Sequence, residues 1–221
     1  DVTSYDYDAL LTEDGQITEK YLEFRKVIAQ FREIPKVGFT TKIQRKAYGT
    51  LRLQEKAGLF DTLDTLSAPV REAMPLSMEE LGQNYGYVLY RSTITRGKEI
   101  RSCKIRGGMD RAIIFADGEQ VEIRNDCEMD RTTGFTLKND SGSLDILMEN
   151  MGRVNYGPEI ELQKKGITHG VQINGVFHMG WDMYPLPLDH IERVDYSRGY
   201  REGMPAFYKF TFQVDEAGDT F

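Results

Sequence analysis

The sequence predicts a mainly β fold, a sandwich or jelly roll, preceded by one strand and one helix. Three observations carry that reading. From Tyr85 onward, short aromatic and β-branched runs recur roughly every ten residues, with Gly, Asn and Asp between them. A long helical apolar stripe is confined to the first 35 residues. The longest apolar run is only a few residues, too short for a membrane-spanning helix.

Positions 1–9 read DVTSYDYDA, and Val2, Thr3, Tyr5 and Tyr7 favour strand. Alternation puts Tyr5 and Tyr7 on one face and Ser4, Asp6 and Asp8 on the other. Asp14-Gly15 signals a turn. Thr18 is placed to cap a helix, with Ile17 and Leu22 as a hydrophobic staple. Ile17, Tyr21, Phe24, Ile28 and Phe31 then form the stripe, and Pro35 marks its end. A lone βα unit cannot bury both faces, so it implies a larger α/β sheet or barrel.

Between Lys36 and Pro75 the pattern is mixed. Ala47–Gln54 alternates and predicts a strand that pairs far along the chain. Leu59, Leu63 and Leu66 mark a short helical face or a packed loop. Ser77 caps one helical turn over Met78–Leu81. Strands are then predicted at Tyr85–Ile94, Arg111–Ala116, Gln120–Arg124, Phe135–Leu137 and Leu144–Glu149. Asp117-Gly118 is a hairpin turn signal. Gly107-Gly108 reads as a hairpin loop, and Glu159 and Glu161 as the wet face of a strand. Gly166–Pro187 continues the β pattern around a turn at Gly175, with Trp181, Met183 and Leu186 facing the core. Asp189–Gly203 is a polar loop, and Met204–Val214 a last alternating strand.

The stretch Ser143–Pro158, SLDILMENMGRVNYGP, organises these elements. Leu144, Ile146 and Met148 fall on one face, and Asp145, Leu147 and Glu149 on the other. Asn150, Gly152, Asn155 and Gly157 then turn the chain sharply. Glu149, Arg153 and Asn155 can cross-link that turn, and an ion pair between Glu149 and Arg153 is expected there.

ENMGRVNYG resembles a motif of the β-galactosidases of glycoside hydrolase family 35. TSYDYDA with LTEDGQITEKYLEFRKVI, AYG, YGYVLYR, DRA with DG, and MPAFYKFTFQV are similar to further family segments, in family order. Leu10 departs from the family, which usually has Pro there. The resemblance implies the last strand and helix of a (β/α)8 barrel over 1–35 and a connecting segment over 36–75. It implies a galactose-binding-like β-sandwich over 76–195 and the opening of a second, truncated β-sandwich over 196–221. Both ends read as cut, so the remainder of the same polypeptide is an expected partner, with a second copy of the chain as another.

The implied parent reaction removes terminal, non-reducing β-D-galactose with retention, without cofactor or metal. Barrel chemistry sits at the carboxyl ends of the strands. Tyr7 first, and Tyr5 second, are therefore expected to bind substrate there, ring against the pyranose and hydroxyl on a sugar oxygen or carboxylate. Composition alone favours packing roles for both. The two catalytic glutamates of the family precede Asp1, so no catalytic residue is expected within the chain. Asp6 and Asp8 point away from the tyrosines. The residues leave two other readings open: a carbohydrate-binding module resting on Trp181 or Tyr87, and a structural or dimer-forming sandwich.

A net charge of −7 disfavours nucleic acid as a partner. His169, His178 and His190 match no metal-ligand spacing. Cys103 and Cys127 match none either; they are read as free thiols and the location as cytoplasmic, although a secreted domain could join them.

Overall fold

The computed structural model describes residues 8–12, 15–35, 46–95, 97–154, 156–158 and 160–215. The chain forms two compact units, one of residues 1–51 with 212–221, the other of residues 52–211.

In the first unit, α1 spans Glu19–Ile28. Thr18 caps it as the sequence predicts, its hydroxyl accepting the Tyr21 N–H at 3.3 Å. Lys20 Nζ donates to the Asp8 carboxylate at 2.9 Å and carbonyl at 2.7 Å, tying the preceding loop to the first turn. The helix ends well before Pro35. Ala29 is the C-cap, and irregular turns continue to Arg32. No α1 residue is buried, and Leu22, Phe24, Val27, Ile28 and the following Phe31 are exposed. Tyr5 and Tyr7, with most of the first predicted strand, lie outside the described residues.

The second unit is mostly antiparallel sheet, with one short helix and three 3-10 turns among the described residues. In chain order its strands are β1 Glu55–Gly58, β2 Val70–Glu72, β3 Tyr87–Ile94, β4 Glu99–Met109, β5 Arg111–Ala116 and β6 Glu119–Asn125. They continue with β7 Thr133–Thr136, β8 Gly142–Glu149, β9 Gly166–Ile173, β10 Val176–Phe177, β11 Trp181–Leu186 and β12 Ala206–Lys209. The short helix α2, Leu63–Leu66, follows β1. One sheet has six strands in the order β2-β11-β3-β8-β5-β6, another four in the order β10-β9-β4-β7, and β1 pairs with β12.

The two larger sheets form a sandwich. Val88, Tyr90, Ile114, Leu144, Ile146, Met148, Trp181 and Met183 point inward from the six-stranded sheet. Ile100, Cys103, Ile105, Ile167, Val171 and Ile173 meet them from the other. Each such large side chain, fully buried, contributes on the order of 1.5–3 kcal/mol. The six-stranded sheet is covered on its outer face too. There Leu59 and Leu63 pack on Leu89, Phe115, Leu147 and Leu186, with Phe60, Met204 and Phe207 partly buried against them. Consequently all five residues of Leu144–Met148 are buried.

Several strands differ from expectation. Ala47–Gln54 forms no strand; the strand begins one residue later, as β1, and pairs with β12 across the length of the unit. The last strand covers four residues rather than the whole of Met204–Val214. The longest strand, β4, holds Gly107-Gly108 within it. The ladder with β9 shifts register between Arg106 and Gly108, a β-bulge. Gly107 has φ +66°, and a Cβ there would stand 2.0 Å from His169 Nδ1. The glycine pair therefore serves a bulge and not a hairpin loop. Ile160–Leu162 is one 3-10 turn, so Glu161 lies on no strand. Over Ser77–Glu80 the expected cap closes into a reciprocal capping box. The Ser77 hydroxyl accepts the Glu80 N–H at 3.2 Å, and the Glu80 carboxylate accepts the Ser77 N–H at 2.8 Å.

Candidate functional site

Strand register aligns the outer face of the six-stranded sheet in rows. Leu186, Tyr87, Glu149 and Arg111 form the first row across β11, β3, β8 and β5. Tyr184, Leu89, Leu147 and Ile113 form the second, and Asp182, Arg91, Asp145 and Phe115 the third.

The first row is polar and closed on itself. Glu149 Oε2 accepts Arg111 Nη1 at 2.8 Å, and Glu149 Oε1 accepts the Tyr87 hydroxyl at 3.2 Å. Burial, reinforced by the Glu149 charge, raises the Tyr87 phenol above its ordinary range, so it remains a donor. In the third row, Arg91 Nε donates to Asp145 at 2.6 Å. The guanidinium lies 5.6 Å from the Phe60 ring centre and 5.9 Å from that of Tyr184. Burial pushes the Asp145 carboxyl upward, and Arg91 offsets this only in part. Between the first two rows and the strap at residues 203–207 lies a half-open cavity of about 450 Å³.

The chain leaves this face after Glu149 and enters the predicted corner. Its hub is Asp110, at the crossover from β4 to β5. Lys165 Nζ reaches the two Asp110 oxygens at 2.6 and 2.8 Å, and Met151 N–H donates to the same carboxylate at 2.7 Å. Glu79 is the second anchor. It accepts Arg153 Nη2 at 2.6 Å and the Lys165 N–H at 3.0 Å. Arg153 Nη1 and Asn150 Nδ2 both donate to the Asn84 carbonyl at 2.9 Å. The expected Glu149–Arg153 pair is thus absent. The two side chains take different partners, Arg111 and Glu79, because Glu149 ends a strand beside β5 while Arg153 turns back over the capping box. The clamped turn holds Met151 and Tyr156 out into solvent.

Other candidate residues have structural surroundings. Trp181 is 1% exposed and donates to the His178 carbonyl at 3.0 Å, so it offers no platform to a sugar. Tyr87 is half-buried and tied to Glu149. His178 is buried beside Ser92, whereas His169 and His190 lie at the surface. Cys103 and Cys127 are both free, and burial pushes the Cys103 thiol up to about 12. Among the described residues, no three His, Cys, Asp or Glu side chains gather into a possible metal site. Sequence reading missed the roles of Arg111, Asp110, Glu79 and Lys165. The available signal was ENMG itself, whose polar groups needed partners from other strands.

Residues 75–187 match the family model of the beta-galactosidase first all-beta domain, and residues 1–31 match that of glycosyl hydrolases family 35. The chain belongs to glycoside hydrolase family 35. Beta-galactosidase 8 of Oryza sativa subsp. japonica is 33% identical over 268 residues, covering 100% of this chain and 40% of the relative. Beta-galactosidase of Mus musculus is 36% identical over 200 residues, covering 86% and 30%. Beta-galactosidase of Homo sapiens is 32% identical over 247 residues, covering 99% and 36%. The family 35 chain therefore spans well under half the length of these relatives.

Proposed function

We propose that the chain acts as part of a retaining β-galactosidase that removes terminal, non-reducing β-D-galactose. The observation that carries this reading is the paired match of residues 75–187 and 1–31 to two parts of one family. Retaining glycosidases use two carboxylates about 5–5.5 Å apart, one as acid/base and one as nucleophile. In this reading both come from barrel strands outside residues 1–221, and the chain alone is inactive. It supports that reading that Glu149 and Asp145 are each held by an arginine, which leaves neither free for acid/base work.

The proposed division is the last barrel βα unit over 1–35, a connector over 36–75, a first sandwich over 76–195 and the start of a second over 196–221. Tyr7, and secondarily Tyr5, form one wall of the galactose pocket. The remaining polypeptide, and a second copy of it, are the proposed protein partners. The two free thiols support a cytoplasmic setting.

The test is Tyr7→Phe in the full-length enzyme. Loss of one hydroxyl contact to galactose or the nucleophile is expected to cost ~1–3 kcal/mol in kcat/KM. Unchanged kinetics remove Tyr7 from the pocket.

A further inference from the structure

Two cavities undercut the segment that crosses the outer sheet face. One, of about 450 Å³, lies between the sheet and residues 203–207. The other, of about 290 Å³, is lined by Phe60, Asp61, Tyr200 and Arg201. Met204 and Pro205 line both and form the partition between them. A side chain with space on two sides lacks part of its packing, and unbranched methionine has the rotamer freedom to move into that space.

The segment is closed at its neck. The Gly199 carbonyl accepts the Gly58 N–H and the Pro205 carbonyl accepts the Leu59 N–H, both at 2.8 Å. Adjacent residues thus hold the two ends of the loop 199–205, as in an Ω-loop. Gly58 and Leu59 are buried, so breaking either bond strands a donor away from water. Tyr200 is fastened beside the neck, its hydroxyl 3.1 Å from that of Tyr208 and its ring 3.8 Å from Lys56 Nζ. The tip is held differently. Arg201 Nη2 donates to the Gly118 carbonyl, on the β5–β6 turn, at 2.6 Å. A Cβ on Gly118 would stand 2.8 Å from the same nitrogen, so glycine gives the guanidinium its seat. Arg201 is exposed and Gly118 partly so, and both groups return to water on release. The Met204 N–H donates to the Arg201 carbonyl at 3.3 Å, which makes 201–204 one turn that moves together.

We propose that residues 201–204 form a latched flap. With Arg201 on Gly118 the flap is shut, and Met204 keeps the two cavities apart. With Arg201 released, the flap turns about its neck, and the cavities join into one slot on the outer sheet face. The proposal is independent of the galactosidase reading.

The first test uses the unmodified 221-residue chain, with carbon relaxation dispersion on the methionine methyls, which reads motion on the μs–ms scale. Met204 should show a dispersion that Met148 and Met183, buried in the sandwich, lack. Arg201→Met should enlarge the open population by ~3–10-fold, the worth of one net hydrogen bond. A chemical readout uses Met204→Cys with Cys127→Ser, the second change removing the exposed native thiol. Arg201→Met should speed alkylation at position 204 by iodoacetamide by the same ~3–10-fold, while the buried Cys103 stays unmodified. A flat Met204 profile, a profile shared with Met148 and Met183, rates that ignore Arg201→Met, or alkylation of Cys103 in step with position 204 overturns the proposal. The unmodified chain alone decides if a variant misfolds.

Discussion

Lys165 has a side-chain exposure of 1%, and its charged partner Asp110 is 17% exposed. Breaking such a pair leaves a charge without compensation, at about 3–5 kcal/mol for a buried ion. The two halves are unequal. Asp110→Asn strands an ammonium in the interior and also weakens the acceptor for the Met151 N–H. Lys165→Met strands a carboxylate that still reaches water. Urea titrations should therefore show the larger loss, about 3–5 kcal/mol, for Asp110→Asn. Lys165→Met should lose clearly less, and the double variant less than the sum. Equal losses would mean that the difference in burial between the two ions does not set the cost. The corner built on this pair is held from outside its own sequence. Asp110, Glu79 and Asn84 belong to segments 41 to 74 residues away.

At the scale of elements, Ser77–Gly82 shows how a short turn becomes a fixed part. The capping box satisfies the Ser77 and Glu80 N–H groups, and the turn sends Met78 into the core and Glu79 to the corner. Ser77→Ala is expected to cost ~1 kcal/mol in thermal or urea unfolding, and Glu80→Gln less, since its amide oxygen can still accept. This cap was legible in sequence because its partners lie three residues apart. The β5–β6 hairpin was legible for the same reason: Asp117 and Gly118 take φ of +49° and +71°, the backbone a two-residue turn requires. Strand β4 was not legible. Its bulge breaks the alternation, and its glycines mimic a loop. Strand β1, EKAG, has little strand propensity of its own and is imposed by β12. The row Tyr87–Glu149–Arg111 depends on the mutual register of three strands, which no single stretch of sequence displays. The expectation for Tyr5 and Tyr7 came from resemblance alone, and both lie outside the described residues.

For the molecule as a whole, carboxylates set the response to acid. The Ser77 backbone N–H, then its hydroxyl, hold Glu80 below its ordinary value of 4.5. Burial alone would raise Glu122, but the Thr133 hydroxyl and the Arg124 guanidinium outweigh it and hold that carboxyl low as well. Groups with lowered folded pKa stabilise above the unfolded value and lose that contribution as pH falls through the folded one. Asp145 is raised and has the opposite sign. The folded state then binds the extra proton, and stability rises as pH falls through that window. Glu119, Glu192 and Asp195, at the surface, are lowered too. With five lowered carboxyls against one raised among the described residues, the urea midpoint should stay level from about pH 7 to 5 and fall below about 4.5. Glu122→Gln should flatten that fall. A midpoint that rises on acidification would assign control to Asp145.

The ribbon of β1 with β12 has a consequence for how the chain is made. Lys209 and Glu55 are bonded across 154 residues of sequence, and β1 has no other strand to pair with among the described residues. During synthesis from the amino end, Leu59 and Leu63 emerge early and wait with no sheet to cover. The outer face of the six-stranded sheet likewise waits for its lid. Closure of such a long loop adds only a slowly growing entropy cost to stability, but it delays folding. On the ribosome, this half of the core therefore remains open until almost the whole unit has been translated. That interval is when its bare leucines are most in need of a chaperone.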